Sequence, residues 1–517
     1  MAKKSTNQGV FDEDNYKDVI QEQISEIQNL YQEDNMSWIV GYSGGKDSTA
    51  IVQLIWSALI QLPEKKRHKD VYVITTDTLV ENPIVSLWVN HSLKKMGESA
   101  EKARLPIYAK LLTPPANNSF WTNLIGRGYP APRNGFRWCT IRLKIDPVSR
   151  FVETFKDSDQ QVIIVIGTRK SESAVRSAVI KKYEQKGIRK MLSPHNSMTN
   201  AFVYAPIKEW NNDDVWMYLM QDSNPWGINN KDLFKMYRGA SPDGECPLVI
   251  DNSTPSCGSS RFGCWVCTLV EQDRSMQAMI QNDQEKEWMT PLLNFRNELD
   301  FRQDEVMGDR DKRDFRRLQG QVHWDGKRDR EIPGPYTQAT RAEFLRKLLS
   351  IQQDIRSNQQ APDEVKNIDL ITMEELHEIR KLWVIDKHET EDLVPQIYEE
   401  IFKESFPKAQ LDDRQPFGSD ELKILKKLAG ADDLHFELCR SLLSVERQHR
   451  TNESNKKLLD QLQKQFKKCF YEDAEDARDR AKRDYKLTDL KNSIKQQTFN
   501  LDNMENVIKE SKKELHE

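Results

Sequence analysis

Two groups of residues in this sequence have the types and spacing that do chemistry. The first is Ser43-Gly44-Gly45-Lys46-Asp47-Ser48. Paired glycines let a backbone pass close to a ligand. A turn that enters a helix aims N–H groups and the helix dipole at an anion. Lys46 is suited to bind phosphate oxygens and Asp47 to help hold Mg²⁺. The loop is not a Walker A motif, which needs Gly where Val40 stands and Ser or Thr where Asp47 stands. The second group is Cys246-x10-Cys257-x6-Cys264-x2-Cys267, with Cys139 upstream in Arg137-Trp138-Cys139-Thr140. Thiolates need a flexible backbone to converge on one centre, and Pro247, Gly258 and Gly263 are suitable hinges. Structural zinc normally uses a second close pair, so the irregular spacing favours an iron–sulfur cluster, with zinc as the alternative. Cys246, Cys257, Cys264 and Cys267 are the expected ligands, and Cys139 is able to replace one of them. Five cysteines for four ligand positions leave one thiol to carry a persulfide.

Further cationic and acidic groups fall near these motifs. Asp77 follows an apolar run, at the strand end where open parallel sheets bind ligands. Arg169 and Arg176, just after Val162–Ile166, are placed to grip phosphate by bidentate forks. Residues 169–190 carry eight Lys and Arg against only Glu172 and Glu184. Within them Lys181, Lys182, Arg189 and Lys190 are the candidate contacts to a nucleic-acid backbone.

These residues need elements to position them. Residues 11–32 read as an amphipathic helix with Val19, Ile20, Ile24, Ile27 and Leu30 on one face. Trp38–Tyr42 reads as a buried strand leading into the glycine turn. Ala50, Ile51, Leu54, Ile55, Ala58 and Leu59 mark the helix that follows. Val71–Ile74, Ile107–Leu112 and Val162–Ile166 are further strands. Their alternation with helix-length segments predicts an α/β fold, an open and mostly parallel sheet with helices on both faces. After about residue 270 strand-like runs become scarce and mixed charges abundant, which predicts a largely helical C-terminal region. The expected divisions are a helical arm at 1–35, a nucleotide domain with the cysteine loop at 36–270, a helical extension at 271–410 and a charged helical region at 411–517.

Composition narrows the function classes. The 517 residues carry 77 Lys plus Arg and 81 Asp plus Glu, a net charge of -4. A globally basic nucleic-acid binder is excluded, so such a contact must be local. No run approaches the ~18 apolar residues of a spanning helix, and the N-terminus has no apolar signal core. Seven cysteines is an odd number. With no export signal, the expectation is a reducing cytoplasm rather than a disulfide framework.

The hexapeptide in its strand–loop–helix setting resembles the SGGKDS loop of the N-type ATP pyrophosphatase superfamily, whose fold is adenine-nucleotide α-hydrolase-like. Asp77-Thr78 followed by Glu81-Asn82-Pro83 resembles the DTG…PET segment of the phosphoadenosine-phosphosulfate reductase branch, with Leu79 in place of the usual Gly. Cys139 in WCTIRLKIDP occupies the place of that branch's Cys-Cys pair. Together with the four-cysteine loop, these motifs over residues 36–275 resemble the sulfurtransferase family of the bacterial DNA phosphorothioation system, DndC. The resemblance implies ATP, Mg²⁺ and a 4Fe-4S cluster, with Lys46, Asp47 and Cys139 in catalytic roles. It also implies DNA, a cysteine desulfurase and other Dnd proteins as partners. The alternatives are a true phosphoadenosine-phosphosulfate reductase, a tRNA thiolase of the same superfamily, and a non-catalytic regulatory subunit.

Overall fold

The computed structural model describes residues 9–11, 15–156, 161–172, 177–178, 180–181, 191–195, 198, 200–241, 262–300, 302, 308–407, 419–449 and 455–514. The chain divides into two compact units. One comprises residues 1–120, 131–303 and 347–372; the other comprises 121–130, 304–346 and 373–517.

The first unit is built on six strands: β1 (Ser37–Gly41), β2 (Val71–Thr76), β3 (Ile107–Leu112), β4 (Val162–Val165), β5 (Ser193–Pro194) and β6 (Ala201–Tyr204). Their spatial order is β3-β2-β1-β4-β6-β5, parallel except for β5 against β6. β1 sits centrally, with Val40 beside Val73 on one flank and Val165 on the other. Trp38, Ile39 and Val40 are wholly buried because both faces of the sheet are covered. Side chains alternate between faces. Trp38 and Val40 join the larger core with α1 (Tyr16–Gln32), α2 (Lys46–Gln61) and α3 (Pro83–Lys102). Ile39 joins a smaller core with Val152 of α4 (Asp146–Lys156). Each such fully buried aliphatic contributes ~1.5–3 kcal/mol relative to exposure. The larger core also takes Val215 and Trp216 of α5 (Asn212–Gln221) and Leu233 of α6 (Asn230–Gly239). The helices α7 (Arg274–Asn282) and α8 (Thr290–Leu299) follow the cysteine turn. The open, mostly parallel sheet with helices on both faces is the architecture that the alternating pattern predicts.

The strand order reverses around β1. Successive strands run outward through β2 and β3 on one side and through β4 and β6 on the other. A crevice outside the carboxyl ends of β1 and β4 is where such a sheet binds ligands. The loops after β1, β2 and β4 carry the hexapeptide, Asp77 and Arg169 respectively.

The second unit is mainly helical. It contains the start of α9 (Gln338–Ser357), then α10 (Met373–Lys381), α11 (Leu393–Phe402), α12 (Ser419–Ala429), α13 (Asp433–His449), α14 (Asn455–Lys468) and α15 (Ala474–Glu514), with one small hairpin, β7 (His323–Asp325) and β8 (Arg330–Ile332). The expected helical C-terminal region is therefore observed. None of the described helices is long and apolar enough to cross a membrane.

Candidate active site

The hexapeptide turns sharply between β1 and α2. The Ser43 N–H donates to Ser48 Oγ at 3.2 Å, and Ser48 Oγ donates to Gly45 O at 3.0 Å. The two serines at the ends of the motif thus staple the turn shut. Gly44 has φ +72°, a left-handed conformation that excludes a Cβ at low cost. Its carbonyl accepts the Trp88 indole N–H at 3.1 Å. Gly45 is the N-cap of α2 and offers no side chain, so the first N–H groups of the helix are left to other partners. One of them, Lys46 N–H, donates to the Tyr237 hydroxyl at 3.3 Å.

Lys46 is 8% exposed, with its ammonium 5.4 Å from the centre of the Tyr237 ring and 3.2 Å from Asp47 Oδ2. Burial lowers its pKa from the ordinary lysine value, opposed by Asp47. Asp47 Oδ1 lies 2.7 Å from Arg169 Nε, an ion pair without hydrogen-bond alignment. The loop after β4 therefore docks on the start of α2, as its place in the sequence predicts. A Cβ on Gly167 would stand 3.3 Å from Asp47 Cβ, which shows how closely the two segments pass. Asp47 has its oxygens turned to two cations rather than to an open metal position. Asp77 lines the adjoining cavity, and burial raises its pKa.

The segment after β2 joins the nucleotide loop to the cysteines. Leu79 has φ +63°, so the backbone keeps the left-handed turn for which the resembled motif uses Gly. Asp77 Oδ1 accepts the Leu79 N–H at 2.8 Å. Val80 O then accepts Trp265 N–H at 3.0 Å, and Asn82 N–H donates to Gly263 O at 3.3 Å. This short antiparallel bridge lays Cys264 against Thr78 and Glu81. Its Sγ is 3.2 Å from Thr78 Oγ1 and 3.6 Å from Glu81 Oε1. Burial, then Glu81, raises the Cys264 thiol pKa.

Cys139 arrives from the other side of the site. It caps a π-helical turn, Thr140–Ile145, in which residues five apart share a face. Burial, then the charge of Cys267, raises the Cys139 thiol pKa. Lys144, on the same turn, has its ammonium 3.8 Å from Glu81 Oε1 and feels the charges of all three thiols. The Cys264–Cys267 turn is held from behind by Arg296, 1% exposed, whose guanidinium donates to Cys267 O at 2.9 and 3.0 Å and to Glu271 O at 3.0 Å. Cys139, Cys264 and Cys267 are free thiols. Among the described residues no group of three His, Cys, Asp or Glu side chains stands ready to hold a metal ion. The thiols brought together are nonetheless the soft donors an iron–sulfur cluster uses. Cys246 and Cys257, named as ligands from the sequence, lie outside the described residues, as do Arg176, Lys182, Arg189 and Lys190. Lys181 is described and exposed.

A cavity of about 330 Å³ adjoins the turn, and Ser43, Asp77, Glu81 and Lys144 are among the residues that line it. Lys144, Tyr237 and Arg296 were not singled out by sequence reading. The only signal for Lys144 is its place in the Cys139 motif, and it becomes meaningful only once the turn is π rather than α.

A glycine-rich turn at the reversal point of a parallel sheet, in the same unit as Cys139, Cys264 and Cys267, is the arrangement to set beside known proteins. Residues 37–269 match the family described as phosphoadenosine phosphosulfate reductase domain. An uncharacterized protein of Methanocaldococcus jannaschii is 26% identical over 265 residues, covering 51% of this chain and 42% of that protein, so the chain spans less than half the length of this relative. Similar solved structures include the phosphoadenylyl-sulfate reductase of Candida auris in a phosphate complex, at 13% identity, 41% of this chain, 90% of that chain and a TM-score of 0.25. The U34-tRNA thiolase NcsA of Methanococcus maripaludis with its [4Fe-4S] cluster matches at 13% identity, 56% and 81% coverage and a TM-score of 0.28. The FMN adenylyltransferase of Candida glabrata with FAD and pyrophosphate matches at 13% identity, 48% and 75% coverage and a TM-score of 0.26.

Proposed function

We propose that this protein is an ATP pyrophosphatase that transfers sulfur to the DNA backbone. The observation that carries this reading is a cavity lined by Ser43 of the glycine turn and by Lys144, whose ammonium feels the charge of Cys264. A non-bridging phosphodiester oxygen is a very poor leaving group, and adenylation converts it into part of AMP. ATP lies with its polyphosphate over Gly44, Gly45 and the start of α2, where Lys46 offsets its charge. A non-bridging DNA oxygen attacks the α-phosphorus, the bond to the β-phosphoryl oxygen breaks, and pyrophosphate leaves. A sulfur nucleophile then attacks the DNA phosphorus, and AMP departs with the original oxygen. Two anions meet in the first step, and Lys46, Arg169 and Lys144 supply the opposing charge. Cys139, Cys264 and Cys267 with Cys246 or Cys257 would hold a 4Fe-4S cluster, which when bound gives the site an anchor for sulfide. Asp77 is the carboxylate facing the cavity that is suited to Mg²⁺, which screens polyphosphate charge. The fifth thiol takes sulfane sulfur from a cysteine desulfurase as a persulfide. Its outer sulfur attacks the DNA phosphorus. A second thiol then attacks the inner sulfur, which releases the phosphorothioate and leaves a disulfide that a thiol reductant reduces. DNA and other Dnd proteins complete the expected assembly in the cytoplasm.

The test is anaerobic purification with iron and sulfide analysis, then pyrophosphate release with and without duplex DNA. Iron, sulfide and DNA-stimulated release are expected; one zinc and no iron would remove the cluster. Stimulation by tRNA alone would move the assignment to a tRNA thiolase. The family match at residues 37–269 favours a second reading, a phosphoadenosine-phosphosulfate reductase proper. Sulfite formed from adenylylated sulfate would establish it.

A further inference from the structure

The helical unit contains a cavity of about 900 Å³ (920 Å³) that the reaction above does not use. One wall is the segment after the π-helical turn Leu382–Asp386, a local geometry that recurs at functional sites. That segment holds two non-glycine residues in the left-handed region, His388 at φ 58° and Asp392 at φ 48°. Such strain persists only where the surroundings over-determine it, and here they do. Glu389 is gripped by both arms of Arg341, one at 3.1 Å. Asp392 is gripped by Arg380 at 2.6 and 2.9 Å. His388 is fixed between Ser444 and Gln465.

This segment and the facing helices line the cavity with polar residues, several of which lack a partner among the described residues. Lys387 forms no side-chain hydrogen bond or ion pair among the described residues, and burial, then Arg341, lowers its pKa to about 8. Among the described residues, Thr390, 3% exposed, has no partner for its Oγ1. Arg440, in the same lining and 5% exposed, uses Nη1 on Glu391 at 2.6 Å and Gln338 at 3.3 Å, while its Nε has no partner among the described residues. Lys468 adds a further ammonium to the wall, in no ion pair among the described residues. Buried donors left unsatisfied are costly. Two ammonium groups, with a guanidinium and a hydroxyl in the same lining, are the donor types of a phosphate site. The volume is that of a small-ligand site. The half-buried ring of Phe436 lies in the same wall, with the Lys426 ammonium 5.8 Å and the Arg440 guanidinium 5.4 Å from its centre, which gathers cations on that wall.

We propose that this cavity is a second nucleotide site, which takes a nucleoside polyphosphate through Lys387, Lys468, Thr390 and Arg440. It is separate from the turn at Gly44, and its occupancy does not depend on that turn being an ATP site.

The full-length protein tests this by calorimetric titration with ATP and, separately, with inorganic pyrophosphate. In the Lys46→Ala variant, which removes the lysine of the first site, ATP binding at the cavity is expected to remain. Adding Lys387→Gln and Lys468→Gln should then weaken it at least tenfold, and Lys387→Arg should restore most of it. Thr390→Val removes an unpartnered hydroxyl without opening a hole, so it should leave thermal unfolding unchanged while weakening ATP several-fold. Comparable affinity for pyrophosphate would place recognition in the phosphates; ATP much tighter than pyrophosphate would place part of it in the base. The proposal is overturned if Lys46→Ala binds neither ligand, or if the two glutamines change affinity less than threefold. Failure of the first site reads out differently, as ATP binding and pyrophosphate release untouched by Lys46→Ala.

Discussion

Gly44→Ala is a stringent test of the phosphate turn, because the structure divides its cost into two separable parts. The backbone at Gly44 has φ +72°, which costs a non-glycine residue ~1–2 kcal/mol. An added Cβ would also stand 2.5 Å from Val89 Cγ2 and 3.3 Å from Trp88 Cδ1. Forcing a methyl into packed surroundings adds ~1–3 kcal/mol. The turn itself is held by a few hydrogen bonds, among them Trp88 Nε1 to Gly44 O, each of which contributes ~1 kcal/mol. The strain therefore exceeds the local restraints. The turn is expected to move while the sheet beneath it stays folded. A penalty of ~2–5 kcal/mol, at ~1.4 kcal/mol per factor of ten, weakens ATP at least about thirtyfold. Val89→Ala in the same chain removes the overlap and leaves the dihedral strain, so affinity should recover to roughly tenfold below wild type. Calorimetric titration with ATP on wild type, both single variants and the double variant reads these terms, with circular dichroism as the folding control. ATP affinity within threefold of wild type in Gly44→Ala would refute the placement of ATP on this turn. No recovery in the double variant would refute the steric part of the argument.

Four further outcomes follow from the same geometry. Lys46→Ala should lower pyrophosphate release by roughly a hundredfold or more, as loss of a preorganised charge does, and leave iron content unchanged. Arg296→Met should strip the C-x2-C turn of its buried donor, cost ~3–5 kcal/mol locally and lower iron content more than it lowers ATP binding. His388 has its pKa lowered to about 4 by burial, then by Lys468, so the folded helical unit holds it neutral. Its contribution is full above the unfolded value of ~6.5 and is lost as pH falls from there toward 4, by up to ~3 kcal/mol. Hydrogen exchange of the peptides spanning α10 and α13 should show that slope in wild type and not in His388→Gln, and equal slopes would reject it. Neutralising Lys181, Lys182, Arg189 and Lys190 together should weaken duplex DNA binding and reduce its salt dependence; unchanged binding removes that segment as a DNA contact.

The first four strands were legible because each is a short, largely apolar run ending in a turn or helix signal; β1 and β4 are buried on both faces, while β3 at the edge was read from its apolar residues alone. Ala201–Tyr204 was not, since its neighbours carry no pattern and only pairing with β4 makes it a strand. The glycine turn was legible residue by residue, because a left-handed glycine, a helix start and a lysine are local properties. The approach of Cys139 to Cys267 depends on folds far apart in sequence, and no periodicity in either segment signals it. Lys144 escaped notice for a sharper reason, since helical periodicity assumes 3.6 residues per turn and the π turn shifts the face. The assignment of residues 347–372 to the first unit and 121–130 to the second is equally silent in sequence. A periodic helix reports which face is buried and says nothing about what covers it.

The segment after β2 ties the two halves of the site into one mechanical piece. Asp77 faces the nucleotide side of the cavity, while Thr78 and Glu81 touch Cys264 on the thiol side. Between them Leu79 carries ~1–2 kcal/mol of left-handed strain. The strain is held by the Asp77 carboxylate on the Leu79 N–H and by two bridge bonds to Gly263 and Trp265. At ~1 kcal/mol each, three such bonds outweigh it, but not by much. A glycine at this position would satisfy the same turn without strain and would also let it relax into others. Leucine restricts the alternatives open to the unfolded chain, and the bridge selects the one that sets Cys264 beside the cavity. Sulfur transfer to an adenylated group needs the thiols at a fixed distance from the phosphate turn, and a stiff segment that touches both is a direct way to fix it.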